Sequence, residues 1–117
     1  MTKMAITING CEPFNLYPAL ILGSAGVSLG YEVVLFFTPG ASPALKKGFL
    51  EGIEKKGMPP MGELFECFTE LGGKLFLCEL AIEAAGVDRG ELRDGVRIGG
   101  ATGFMSEIKD ATITFSF

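Results

Sequence analysis

The sequence predicts an α/β fold, a three-layer α/β/α sandwich around a mostly parallel five-stranded sheet, in a single domain over residues 1–117. Short β-rich runs alternate with segments of helical spacing along the whole chain. Two of these runs, residues 31–37 and 74–78, are almost continuously apolar. Such runs are typical of parallel strands that are covered on both faces. A length of 117 residues suits one hydrophobic core.

In the first half of the chain we expect two strands and two helices. The strands are residues 4–8 and 31–37, both rich in β-branched or aromatic side chains. Asn15 is the expected cap of the first helix, which continues to Gly30. A second helix is expected over residues 42–57, because apolar side chains recur there at helical spacing.

The second half predicts a third helix from Met61 to Leu71, with Cys67 facing the core or its margin. A buried strand follows at residues 74–78 and ends at Cys78, and a short helix is expected over residues 79–85. The remaining elements are a strand at 95–98, a helix at 101–109 and a strand at 111–117.

The amino-acid composition excludes several classes of catalytic site and metal site. The chain contains no histidine, which excludes Ser–His and Cys–His catalysis and removes the commonest ligand of zinc, copper and iron. Three cysteines at irregular spacing, Cys11, Cys67 and Cys78, match neither a disulfide framework nor a zinc site. We therefore expect reduced thiols, no metal and no cofactor.

Charge and hydropathy limit the partners and the location. A formal charge of −4 without a basic cluster disfavours direct binding to nucleic acid. No apolar stretch reaches the roughly 20 residues of a membrane span, and the first residues do not resemble a secretory signal. We expect a cytoplasmic protein without an integral membrane segment. The mean hydropathy of +0.38 is high for a soluble monomer, which favours a homo-oligomer.

Cys78 is the candidate catalytic residue. It ends a buried strand at the carboxyl edge of the predicted sheet, where ligands of parallel α/β sheets bind. A helix that begins at Glu79 would direct free N–H groups toward the sulfur and favour the thiolate. The carboxylate of Glu79 would oppose this effect unless it points to solvent. The alternative is a packing cysteine, because free cysteine is among the most buried residue types.

Two further features are expected at the same edge. The loop Gly99-Gly100-Ala101-Thr102 joins a strand to a helix, so its backbone N–H groups are candidates for binding a substrate anion beside Cys78. A tight turn is the alternative for this loop. Cys11 follows the first strand and is the candidate accessory thiol.

Three stretches occur in a specific order: PALIL to LGYEVVLFFT within residues 18–38, KGMPPM at 56–61, and KLFLC at 74–78 followed by GV at 86–87 and DGVRIGG at 94–100. In this order they resemble the DsrE/DsrF-like family of small sulfur-relay proteins, over nearly the whole chain. The resemblance implies that Cys78 carries a persulfide and passes sulfane sulfur from a donor protein to an acceptor protein. It also implies a homotrimer or a homohexamer.

Two hypotheses follow for function. The first is a sulfur carrier of sulfurtransferase type that works through a persulfide on Cys78. The second is a non-catalytic oligomeric module, in which Cys78 packs and a small anion or nucleotide binds near residues 99–103. The second hypothesis has the weaker motif, because the loop lacks the consecutive lysine and Ser/Thr of a phosphate-binding P-loop.

Overall fold

The computed structural model describes residues 1–117 and contains one five-stranded sheet with helices on both faces. The strands are β1 (Lys3–Ile8), β2 (Glu32–Phe37), β3 (Lys74–Cys78), β4 (Val96–Gly99) and β5 (Ile113–Ser116). Their order across the sheet is β4-β3-β2-β1-β5, and every neighbouring pair is parallel. The predicted fold class is confirmed, and the sheet is wholly rather than mostly parallel.

Four α-helices connect the strands. They are α1 (Pro13–Ser28), α2 (Met61–Glu70), α3 (Ala81–Ala84) and α4 (Ala101–Glu107), and three 3-10 segments lie at Pro39–Leu45, Leu50–Gly52 and Arg89–Glu91. Residues of α1, α2 and α3 pack on one face of the sheet, whereas only α4 supplies a buried residue to the other face. No helix is both long enough and apolar enough to cross a membrane.

The two faces of the sheet therefore carry cores of very different size. The main core contains 22 buried residues, mostly from β1, β2, β3, α1 and α2. The second core, here called the α4-side cluster, contains six: Ala5, Val34, Phe36, Phe76, Cys78 and Phe104. Because side chains alternate along a strand, β3 sends Leu75 and Leu77 into the main core and Phe76 and Cys78 into the α4-side cluster. The candidate thiol thus lies on the thinly covered face.

Helix α1 begins earlier than predicted. The cap is Glu12, and Asn15 is the third helical residue, whose Oδ1 accepts the Glu12 N–H at 3.2 Å. Pro13 occupies the first helical position, where its fixed φ suits a helix and its missing N–H costs nothing. Glu12 and Asn15 form a capping box, in which the side chain of each accepts a hydrogen bond from the backbone N–H of the other. The prediction of Asn15 as the cap was wrong because a capping box places a polar residue three positions after the cap as well as at the cap.

The second predicted helix, over residues 42–57, does not form. The segment instead makes two 3-10 turns, Pro39–Leu45 and Leu50–Gly52. Between them Lys46 forms an isolated antiparallel bridge with Leu92, and Gly48 has a φ of +85°. Both features break a helix, since the bridge requires extended backbone and the glycine turns the chain to the left-handed region.

Charged side chains at the start of β1, β2 and β3 form ion pairs with one another and with residues at and just after the carboxyl end of α4. Lys3, which is almost fully buried, lies 3.6 Å from Glu32 Oε2 and 3.4 Å from Asp110 Oδ1 through its Nζ. The Nζ of Lys74 donates to Glu32 Oε1 at 2.6 Å and lies 3.5 Å from Glu107 Oε1. The hydrogen bond from Lys74 lowers the pKa of Glu32, and the same contact raises the pKa of Lys74.

We expect Glu32→Gln to lower the free energy of unfolding at pH 7 by about 1 kcal/mol. Because the pKa of Glu32 is lowered in the folded state, its charge stabilises the fold above the unfolded value of about 4.3 and the contribution is lost as pH falls below it. Urea denaturation at pH 7, 5 and 3 should therefore show the difference between wild type and variant shrinking with acid. An exposed control, Glu66→Gln, should show little change, and a difference for Glu32→Gln that stays constant to pH 3 would contradict the prediction.

Candidate functional site

Cys78 lies at the carboxyl edge of the sheet, as predicted. It is the last residue of β3, its Cα pairs with that of Gly99 in β4, and its thiol is free. The residue is 7% exposed and belongs to the α4-side cluster. The Phe104 ring of this cluster stacks on Phe36 with centroids 4.1 Å apart and lies 5.6 Å from Phe76. The sulfur is thus held at the margin of an aromatic core, close to the end of the strand.

The helix after Cys78 starts later than predicted. Helix α3 begins at Ala81 rather than Glu79 and is four residues long. The N–H of Glu79 donates to the carbonyl of Gly99 at 2.9 Å, so the ladder between β3 and β4 extends one residue past the thiol. The predicted helix start at Glu79 was wrong, and the Glu79 amide is not free to stabilise a thiolate at Cys78.

The loop Gly99–Thr102 lies next to Cys78 across the ladder. A Cβ added at Gly99 would lie 2.7 Å from Cζ of Phe76, and one added at Gly100 would lie 2.9 Å from Oε1 of Glu79. The Phe76 ring therefore favours glycine at position 99, whereas the exposed Glu79 side chain could move away from a Cβ at position 100. The Glu79 carboxylate lies against the start of α4, where it faces the backbone that was predicted to hold an anion.

The structure does not bring Cys11 and Cys78 together. Cys11 is half-buried and packs against the main core, on the opposite face of the sheet from the α4-side cluster. The strands that lead to the two cysteines, β1 and β3, are separated by β2. Two strand spacings amount to about 9.6 Å, which exceeds the usual Cα separation of a disulfide.

Cys67 is exposed, so its predicted place facing the core or its margin was wrong. The buried residues of α2 are Met61, Phe65 and Phe68, and at about 100° per residue Cys67 lies roughly 120° around the helix from this stripe. Leu64 and Leu71, the apolar residues nearest Cys67 around the helix, do not belong to the buried stripe. Leu71 lies beyond the end of the helix and is 53% exposed.

A surface groove that the sequence did not indicate begins one residue after Cys78. It has a volume of about 320 Å³ and is lined by Glu79, Leu80, Ile82, Glu83 and Arg89. Leu80 is 67% exposed, although it follows directly on a buried strand. No local pattern could have found this groove, since Arg89 comes from a separate 3-10 segment and the residues after Cys78 were assigned to an ordinary helix.

A larger groove of about 620 Å³ lies along α2, away from Cys78. Arg93 crosses it, with its guanidinium 4.8 Å from the Phe65 ring centre. The carboxylates around it belong to Glu51, Glu63, Glu66 and Asp94. No group of three or more cysteine, aspartate or glutamate side chains is arranged to hold a metal ion. Because this groove contains no thiol, Cys78 and its surroundings remain the better candidate site.

Comparison with known proteins gives a matching family and two solved structures of similar fold. The sequence profile of the DsrE/DsrF/DrsH-like family matches residues 40–115. The chain is 26% identical over 98 residues to the uncharacterized protein MJ0760 of Methanocaldococcus jannaschii, a match that covers 83% of this chain but only 35% of that protein.

Two solved structures share the fold. The YchN protein of E. coli superposes with a TM-score of 0.73 at 22% identity, covering 100% of both chains. The protein MTH1491 of Methanobacterium thermoautotrophicum gives a TM-score of 0.65 at 11% identity, covering 98% of this chain and 97% of that one. At these identities the likeness concerns the fold.

Proposed function

Because the chain belongs to the DsrE/DsrF/DrsH-like family, we propose that it is a sulfur carrier that accepts and passes on sulfane sulfur as a persulfide on Cys78. The observation that supports this proposal is the position of the thiol. Cys78 is the final residue of β3, at the edge of a parallel sheet where ligand sites concentrate. The fold alone does not fix a function, so the argument depends on this one side chain.

The proposed transfer is a pair of thiol exchange steps. The Cys78 thiolate attacks the outer sulfur of a donor persulfide, forms a new S–S bond and releases the donor as a thiolate. An acceptor thiolate then attacks the outer sulfur on Cys78, takes it as its own persulfide and releases the Cys78 thiolate. Each step forms and breaks one S–S bond, so no external oxidant or reductant is required.

The low exposure of Cys78 suits a carrier. At 7% exposure the thiol is largely shielded from water-borne oxidants, which would otherwise convert it to sulfenic or sulfinic acid. In the proposed carrier a persulfide adds an outer sulfur atom beyond the Sγ atom of Cys78. A partner thiol can then reach that sulfur while the inner one stays within the α4-side cluster.

The loop Gly99-Gly100-Ala101-Thr102 is the proposed binding site for the outer sulfur. Its support is the pairing of Gly99 with Cys78 and the start of α4 at Ala101, where the first helical N–H groups lack partners within the helix. The Glu79 carboxylate lies against Gly100. Its side chain is exposed, so it can turn to solvent when the loop binds a negatively charged sulfur.

A homotrimer or homohexamer is part of the proposal. One face of the sheet has α4 as its only helix, and this helix exposes the large apolar side chain of Met105 (63%). Covering such side chains is a common reason for association. We expect light scattering to give three or six times the mass of one chain, and a monomer at micromolar concentration would contradict the assembly.

The proposal is tested by loading the reduced protein with sulfur. After incubation with glutathione persulfide, intact mass spectrometry should show one added sulfur atom per chain, and peptide mapping should place it on the peptide that contains Cys78. Cyanide should remove it as thiocyanate. A protein that gains no sulfur at this peptide is not a carrier, and a rise of the melting temperature with phosphate or nucleotide would then favour the binding module.

A further inference from the structure

The groove of about 320 Å³ that follows Cys78 has an unusual combination of side chains. Leu80 is 67% exposed and forms part of the lining together with Ile82. Glu79, Glu83 and Arg89 border these two apolar side chains, and an apolar patch with a polar rim is typical of an interaction site. The lining of the groove begins at Glu79, the residue that follows Cys78 in the chain, and Cys78 itself is not part of it.

The charged residues of this groove have no partners within the chain. Glu79 and Glu83 are exposed carboxylates, Arg89 is an exposed guanidinium, and none of the three takes part in an ion pair. By contrast, both other arginines, Arg93 and Arg97, are paired with glutamates. Two carboxylates and one guanidinium give the groove a net charge of −1, within a chain whose formal charge is −4.

From this combination we propose that the groove docks a partner polypeptide segment that carries a basic side chain next to an apolar one. The basic group meets Glu79 and Glu83, and the apolar side chain packs on Leu80 and Ile82. Complementary charge of this kind speeds encounter and selects partners more than it adds affinity. The inference rests on the proposed function, because the segment is then the one that presents a sulfur-exchanging thiol to Cys78.

Docking is tested with a short peptide that cannot exchange sulfur. The probe is the capped peptide Gly-Lys-Leu-Ser-Lys-Gly, in which serine stands for the reactive cysteine, and its charge-swapped partner has glutamate in place of both lysines. In an NMR titration the basic peptide should shift the amide signals of residues 79–83 and of Arg89. We expect it to bind about tenfold more tightly than the acidic peptide, with the preference reduced at high salt.

Four substitutions make the test specific. Glu79→Gln and Glu83→Gln should each weaken binding of the basic peptide about threefold, and Arg89→Gln should strengthen it about twofold, because it removes the opposing charge. The matched control is Glu63→Gln, an exposed glutamate on α2 outside the groove, which should change nothing. Equal binding of the two peptides, or equal weakening by Glu63→Gln and Glu83→Gln, overturns the inference.

The outcome is separable from that of the proposed function. The titration involves no sulfur chemistry. Binding of the basic peptide to a protein that never forms a persulfide would therefore support the docking groove and reject the sulfur-carrier function. A protein that loads sulfur on Cys78 but does not distinguish the two peptides would retain the carrier function and lose the docking groove.

Discussion

We expect Cys78→Ser to take up no sulfur from a persulfide donor, whereas Cys11→Ser and Cys67→Ser each still gain one sulfur atom per chain. A serine hydroxyl is a poor nucleophile at neutral pH and cannot form a persulfide. Cys67 is exposed and therefore reachable by reagents, but it lies within α2 and not at the end of a strand. Cys11 packs against the main core, away from the α4-side cluster. The measurement is intact mass after loading.

The serine variant must be shown to be folded before its loss is interpreted. Cys78 is buried, and replacing it with a hydroxyl that lacks a partner costs about 1–3 kcal/mol. Circular dichroism and a melting curve establish whether the variant is native at the assay temperature, and Cys78→Ala supplies a second variant without a buried hydroxyl. Uptake of sulfur by a folded Cys78→Ala protein would show that another cysteine accepts the sulfur.

The central strands of the sheet were predicted well because each of them is a nearly continuous apolar run in the sequence. The bounds of β3, Lys74–Cys78, match the apolar run that predicted it, and β2 differs from its run by one residue. A strand buried on both faces is apolar at nearly every position, so its pattern does not depend on the partner strand. The position of Cys78 at the strand end followed from this pattern alone.

The features that the sequence missed depend on distant residues. The helix predicted over residues 42–57 is prevented by a bridge from Lys46 to Leu92. The amide of Glu79 is taken by the carbonyl of Gly99, which lies in a different strand. In both cases the local preference for a helix is overridden by a backbone hydrogen bond or bridge to a residue far along the chain. The chemistry around Cys78 is shaped by these long-range contacts.

Burial of Cys78 depends on α4, and we expect Phe104→Ala to raise the rate of alkylation at Cys78 by about thirtyfold. Phe104 is the one buried residue of α4, and its ring stacks on Phe36 in the cluster that contains Cys78. A thiol that is 7% exposed reacts mainly through local opening. Removing the ring should lower the free energy of that opening by about 2 kcal/mol, a cautious value for a truncated core phenylalanine. Labelling with iodoacetamide, followed by peptide mapping, measures the rate.

The matched control is Phe68→Ala on the opposite face of the sheet. Phe68 is fully buried in the main core, so its loss should cost about 3–5 kcal/mol of global stability. It does not touch the α4-side cluster, and under conditions where both variants stay folded it should leave Cys78 labelling close to the wild-type rate. If both substitutions accelerate labelling equally, access follows global unfolding. If neither does, reagents reach the thiol along the strand end without displacing α4, and the shielding that we assign to this helix is wrong.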